Sequence, residues 1–311
     1  MDLGVQIEPQ FGFSYEAIRD IARQAHASGF TRLWVSDHLF LNKDSVAQDC
    51  LEAWTVLAGL ARDTEGIRIG PMVSAQSYRN PALLAKIAAG IDRMSGGRLE
   101  FGVGAGWKEV EYRAYGYEFP DAPVRVTQLV ETLEICTRLW SQERASYRGK
   151  HYGIENAVLS PKPEQSPLPI WIGGTKPRVM RIAAKYAHWF NMSDPGLPPL
   201  ERAAAMRAGL DEACRSVGRD PSTLRTSLFV LAYVAETRSE LDELIDALAA
   251  RAKAPRDQWL ASRRGAIVGT PDEAAEKFRA IAKAGVDHAN VMLAYGSEIA
   301  GVKALAAAAR G

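Results

Sequence analysis

Apolar residues along the chain alternate between short continuous runs and positions three and four apart, a rhythm that predicts strands alternating with helices. Leu3 to Ile7 reads as a first strand. Ser14 then offers an N-cap, Ile18, Ile21, Ala22 and Ala25 share one helical face, and Gly29 is placed to end that helix. Arg32 to Ser36 gives a second strand, the stretch around Glu52 to Arg62 a helix, and Ile67 to Ser74 a third strand. Pro81 suits the first turn of a helix whose Leu83, Leu84, Ile87 and Ile91 are expected to face inward. Ser95-Gly96-Gly97 turns into a fourth strand, Arg98 to Val103.

The rhythm then breaks. Gly104 to Pro123 reads as a long irregular stretch, followed by a helix carrying Val126, Leu129, Val130, Leu133 and Trp140. Tyr147 to Pro163 looks like a small hairpin running into a proline-punctuated loop. Ile170 to Ile172 is the fifth strand, Trp189 to Met192 the sixth, Leu224 to Ala235 the seventh and Asn290 to Leu293 the eighth, with helices around Arg178 to Tyr186 and Leu200 to Val217. Thr270-Pro271-Asp272-Glu273 is a capping box with proline at its first helical position, and an alanine-rich helix closes the chain. Eight strands alternating with helices favour an α/β fold of the (β/α)8 TIM-barrel type over a doubly wound sheet. No linker divides the chain, so residues 1–311 are expected to form one domain. The interruptions after the fourth and seventh strands read as insertions at the C-terminal face of the barrel, where such folds keep their chemistry.

Composition narrows the partner. Thirty-eight basic and 37 acidic residues leave a net charge of +1, without a basic block suited to nucleic acid or a membrane surface. No window is apolar enough to span a bilayer and no leader peptide is evident, so the expected partner is a small molecule. Cys50, Cys136 and Cys214 are odd in number and far apart, which suits a reducing cytoplasm. Five histidines without ligand spacing do not support a metal centre, and no G-x-S-x-G elbow supports hydrolysis.

The strand ends nominate the chemistry. Strand one ends at Glu8, strand two at Asp37-His38 and strand three at Ser74. Gly102-Val103-Gly104-Ala105-Gly106 spaces glycines where a strand leaves the sheet, either to make a tight turn or to let a flat ring or phosphate approach the backbone. Gly173-Gly174-Thr175-Lys176-Pro177 joins a strand to a helix start whose free N–H groups favour a phosphate, with Thr175 adding a hydroxyl and Lys176 a charge. His38 is a candidate proton donor or acceptor. Glu109, Glu111 and Tyr112, just past Trp107, could be solvated or could fold over the site, while Trp107 itself reads as a packing residue of the cavity wall.

Over nearly its whole length the chain resembles the luciferase-like monooxygenase superfamily, and within it the branch dependent on the deazaflavin coenzyme F420. The resemblance rests on Trp34-Val35-Ser36-Asp37-His38, Tyr78-Arg79-Asn80-Pro81, Gly97-Arg98-Leu99, Gly102 to Trp107, Glu111-Tyr112, Pro169 to Gly174, and Ala183 to Ala187 ahead of Trp189-Phe190-Asn191. It implies a bacterial luciferase-like barrel and hydride transfer between the deazaflavin C5 and a small carbonyl, imine or activated alkene. It also implies phosphate binding by Gly173, Gly174 and Thr175 beside Ile172, and ring contacts from Asp37, Met72, Ser74, Gly104, Ala105 and Gly106. A strand-three bulge with a non-prolyl cis peptide is expected near Pro71-Met72, and His38, Asp37 and Glu111 are the expected catalytic residues. Trp107 stands where deazaflavin dehydrogenases of this type carry an acidic glutamate, so their sugar-phosphate chemistry does not transfer. The alternatives are an FMN-dependent monooxygenase served by a partner flavin reductase, and a non-catalytic flavin-binding protein. A homodimer is the assembly the resemblance implies.

Overall fold

The computed structural model describes residues 1–193 and 196–310. In chain order the elements are β1 (Asp2–Ile7), α1 (Tyr15–Ala27), β2 (Arg32–Val35), α2 (Ala53–Asp63), β3 (Arg68–Pro71), β4 (Ser74–Ala75), α3 (Pro81–Met94), β5 (Phe101–Gly104), α4 (Glu109–Ala114) and α5 (Ala122–Ser141). Then come β6 (Ala145–Arg148), β7 (Gly153–Ala157), β8 (Ile170–Gly173), α6 (Pro177–Tyr186), β9 (Trp189–Met192), α7 (Pro199–Ser216), β10 (Arg225–Val234), α8 (Arg238–Arg251) and α9 (Arg256–Ala261). The chain closes with β11 (Ala266–Gly269), α10 (Pro271–Lys283), β12 (His288–Leu293), α11 (Glu298–Ala304) and α12 (Ala306–Arg310).

Parallel pairing runs in the order β3-β2-β1-β12-β10-β9-β8-β5-β4. β3 and β4 are the two halves of one interrupted strand, so the described residues fill eight positions. A parallel bridge between Ile69 and Leu99 joins the open edges, with Ile69 N donating to the Arg98 carbonyl and Glu100 N to the Ile69 carbonyl. The expected barrel is therefore present, and β11 adds a parallel segment beside the end of β10.

Local signals act where the sequence places them. Ser14 Oγ accepts from Ala17 N at 3.2 Å, and Ile18, Ile21, Ala22 and Ala25 of α1 are buried. The box at Thr270 and Glu273 opens α10, and a second one, at Thr237 and Glu240, opens α8. On α3 the buried face is Leu84, Ala85, Ala88 and Ile91, whereas Leu83, expected inside, is 54% exposed. The helix is rotated so that its small alanines are buried and Leu83 meets solvent.

Three further expectations are corrected. The stretch after β5 is not irregular throughout, because it folds the short helix α4. The third strand, read from periodicity as continuous over 67–74, is interrupted by the bulge that the resemblance implied, with a non-prolyl cis peptide at Met72–Val73 between β3 and β4. The insertion after β10 does not line the barrel mouth. It buries Leu241, Ile245, Ala249 and Trp259 with Tyr233 in an apolar cluster of its own.

Under the barrel, Glu100 is 1% exposed and receives Arg32 Nε at 3.1 Å, Arg68 Nε at 2.5 Å and Trp171 Nε1 at 2.6 Å. Arg32 also lies over the Trp171 and Trp189 rings, which stack 4.3 Å apart. Removing one member of such a group leaves buried charge uncompensated. Glu100→Ala is expected to destabilise the fold by about 3–5 kcal/mol in urea denaturation, and a loss below about 1 kcal/mol would show that Arg32 and Arg68 find other partners.

Candidate active site

A cavity of about 580 Å³ opens at the C-terminal ends of the strands. Its wall takes Glu8 from after β1, Asp37 and His38 from after β2, and Met72 and Val73 from the bulge. Gly104, Ala105 and Gly106 follow from β5, then Glu111 from α4 and Gly173, Gly174 and Thr175 from β8. Ten of the expected site residues thus meet around one space. Ser74 and Ile172 do not line it: Ser74 is fully buried behind the wall and Ile172 belongs to the barrel core.

Asp37 is fixed before any ligand arrives. Its side chain is 1% exposed, and Arg79 grips both oxygens, at 2.7 and 2.9 Å. Ser74 Oγ, at 2.8 Å, and Ala75 N, at 3.1 Å, complete its partners, while Trp54 Nε1 donates to Ser74. Asp37 therefore braces the wall through its carboxylate. Arg79 also pairs with Glu52. Burial works against its charge, but the two carboxylates hold its pKa above the ordinary value.

Glu111 proves to be the most heavily bonded group of the site. Its side chain is fully buried and accepts from His38 Nδ1 at 3.0 Å, Lys108 Nζ at 3.0 Å, Tyr78 Oη at 2.8 Å and the backbone N–H groups of Leu39 and Phe40 at 2.9 and 3.3 Å. Burial by itself would raise its pKa. The His38 hydrogen bond and charge, with the bonds from Lys108 and Tyr78, outweigh that and bring it down to about 2. Burial and the neighbouring Glu111 carboxylate push Tyr78 the other way, well above a normal phenol. Glu111 thus accepts from His38 Nδ1 and fixes the orientation of that ring. Glu109, the other candidate, pairs with Arg113 on the surface.

With Nδ1 bound to Glu111, the His38 nitrogen left for a ligand is Nε2, which makes no hydrogen bond among the described residues. Trp107 lines the cavity as expected, but at its mouth and 72% exposed rather than packed, its ring 5.7 Å from that of His38 at 86°.

The glycines answer to two neighbours at once. A Cβ on Gly104 would lie 2.6 Å from Val73 Cγ2, and one on Gly173 3.2 Å from Val73 Cγ1. The bulge thus seats Val73 between β5 and β8 as an apolar platform in the cavity. At Gly106, φ is +78° and a Cβ would fall 1.8 Å from Tyr112 Oη, which holds Ser77 Oγ at 2.7 Å. Beyond Gly174, helix α6 begins at Pro177 with no side chain capping it; Pro177 carries no N–H and Val179 N donates to the Lys176 carbonyl at 2.9 Å, which leaves Arg178 N facing outward beside the exposed Lys176. An apolar platform leading to an uncapped helix start fits a planar ring with an anionic tail.

Sequence reading missed the parts that only converge in space. Lys108 and Tyr78 were not singled out for the site, although Lys108 stands three residues before Glu111, a spacing that makes a helical pair legible. Arg79 and Val73 carry no local signal of their roles.

The fold and the site define a (β/α)8 barrel enzyme scaffold with a ligand cavity at the strand mouths. A family model described as luciferase-like monooxygenase matches residues 1–288, and the chain belongs to that family. The F420-dependent glucose-6-phosphate dehydrogenase of Microbacterium testaceum is 31% identical over 210 residues, 66% of this chain, which spans 61% of that protein's length. Its counterpart in Kineococcus radiotolerans is 26% identical over 298 residues, covering 89% of this chain and 86% of the relative. Pyrimidine monooxygenase RutA of Stutzerimonas stutzeri is 28% identical over 269 residues, 84% and 72% of the two chains. Among solved structures, an F420-dependent secondary alcohol dehydrogenase in complex with an F420-acetone adduct superposes with a TM-score of 0.83 at 20% identity, over 100% of this chain and 99% of its own, a likeness of fold.

Because Glu111 has a folded pKa below its ordinary 4.5, its contribution is complete above pH 4.5 and is lost as the pH falls towards 2. That contribution is about 3 kcal/mol. Urea midpoints measured between pH 6 and 2.5 are expected to fall less steeply for Glu111→Gln than for the parent chain. Parallel curves would remove Glu111 from the acid-sensitive set.

Proposed function

We propose that this protein, as one domain over residues 1–311, is a coenzyme F420-dependent oxidoreductase acting on a small organic molecule. The observation that carries the reading is the arrangement of a single cavity. It has a helix start without a side-chain cap beside Gly173-Gly174-Thr175 and Lys176 for a phosphate, the Val73 platform for a planar ring, and a carboxylate-oriented histidine at the adjoining wall. The names of several relatives point the same way. When bound, the deazaflavin would supply or accept a hydride at C5.

The chain's own residues divide the remaining work. Thr175, Lys176 and the first turn of α6 bind the phosphate. Met72, Val73 and Ala105 offer the ring an apolar seat that excludes water. Gly104, Gly106 and Gly173 keep the backbone low around that seat. His38, with its tautomer set by Glu111, gives or takes a proton through Nε2 at the substrate heteroatom, and Asp37 holds the loop that carries it. Three unpaired cysteines support a reducing, cytoplasmic setting, and a homodimer is the assembly this family reading implies.

An FMN-dependent monooxygenase with a partner reductase is the second reading, favoured by the pyrimidine monooxygenase relative. Fluorescence titration separates the two. F420 is expected to bind saturably, with Lys176→Ala weakening it about tenfold and FMN binding less tightly. Tight FMN binding without F420 binding, together with oxygen uptake on adding reduced FMN, would transfer the assignment to the second reading. With F420 bound, His38→Ala is expected to lower turnover by about 10²–10⁴ while leaving F420 affinity within about threefold. Unchanged turnover would withdraw its proton-transfer role.

A further inference from the structure

The cavity wall carries three carboxylates, and they are not equivalent. Asp37 is held by Arg79, and Glu111 by Lys108 and His38. Glu8 lines the same space, yet its partners are the neutral amides of Gln6 and Gln10, and it makes no ion pair among the described residues. Those amides are themselves fixed, since Asn290 Nδ2 donates to Gln6 and Ser36 Oγ donates to Gln10 Oε1 at 2.9 Å. Glu8 is thus a positioned carboxylate with no counter-charge from the protein.

The cations of the wall are committed elsewhere or lie away from Glu8. Lys108 is saturated, its ammonium donating to the Phe40 and Leu41 carbonyls at 2.6 and 2.9 Å and to Glu111. Arg125, at the start of α5, donates to the Gly106 and Pro120 carbonyls and lies over the Phe119 ring, while Lys176, which also lines the cavity, follows β8 and precedes α6. In the order β1-β2-β3/β4-β5-β8-β9-β10-β12, β8 lies four positions from β1 in either direction. The cavity is therefore bipolar across its diameter, with the exposed Lys176 at the phosphate corner and one carboxylate without an ion pair among the described residues opposite, next to the strand that carries His38.

Resting on the hydride-transfer reading above, we propose that Glu8 is the substrate-recognition residue and selects organic molecules bearing a protonated nitrogen over neutral or anionic ones. An ammonium or iminium group supplies the counter-charge that the protein withholds, through a charge-assisted hydrogen bond. An anionic substrate such as a sugar phosphate would meet Glu8 at the same wall and be repelled. The substrate class thus differs from the one named for the glucose-6-phosphate dehydrogenase relatives.

Calorimetric titration with benzylammonium, benzyl alcohol and benzoate, three probes of one shape, tests this without turnover. Benzylammonium is expected to bind at least about tenfold more tightly than either of the others. Glu8→Gln should remove that margin, and raising the salt from about 0.02 to 0.5 M should shrink it in the parent chain. Benzoate binding as tightly as benzylammonium, absence of benzylammonium binding, or a margin that survives both Glu8→Gln and high salt would overturn the proposal. The salt series decides the matter if Glu8→Gln fails to fold. F420 fluorescence on the same samples keeps the two readings apart: loss of F420 binding with the ammonium margin intact defeats the cofactor assignment and leaves Glu8 in place, while the reverse defeats only the role of Glu8.

Discussion

The site depends on one buried carboxylate. Glu111 has no contact with solvent, and its two oxygens collect an ammonium, an imidazole, a phenol and two backbone N–H groups. A carboxylate taken out of water is costly unless every lone pair is met, and here the donors come from three separate segments: the loop after β2, the stretch between β4 and α3, and α4. Satisfying Glu111 therefore fastens these segments to one another. His38 inherits its orientation from the same arrangement, so the reactive nitrogen is placed by the folding requirement of its neighbour.

A second constraint shapes the floor. Val73 projects between β5 and β8, and the glycines beside it leave no Cβ in its path. Glycine at 104 and 173 is thus needed first by the protein's own side chain. The low backbone that results also lets a ligand lie close, so packing and binding ask for the same residue. This explains why a short run of glycines could be read either as a turn or as a ligand cradle, since both descriptions hold.

Charge is distributed by the same logic. Asp37 and Glu111 are neutralised within the wall, and their partners lock loops in place. Glu8 and Lys176 are left without an ion pair among the described residues, on opposite sides of the ring of strands. A cavity built this way discriminates by polarity along its length, and the barrel topology sets the direction of that polarity.

The sequence by itself determined the repeating strands and helices, the capping box at Thr270, the glycine corner after β8 and the Asp37-His38 pair at a strand end. These are local matters: periodicity, turn chemistry and chain order carry them, and nearest-neighbour physics suffices. Whether Glu111 was a solvated loop residue or the buried centre of the site was not legible, because its five donors lie up to 73 residues away. The rotation of α3, the separate packing of the insertion after β10, the exposure of Trp107 and the isolation of Glu8 were likewise decided only in three dimensions. Each depends on which distant groups reach a given atom first, and a linear pattern holds no record of that competition.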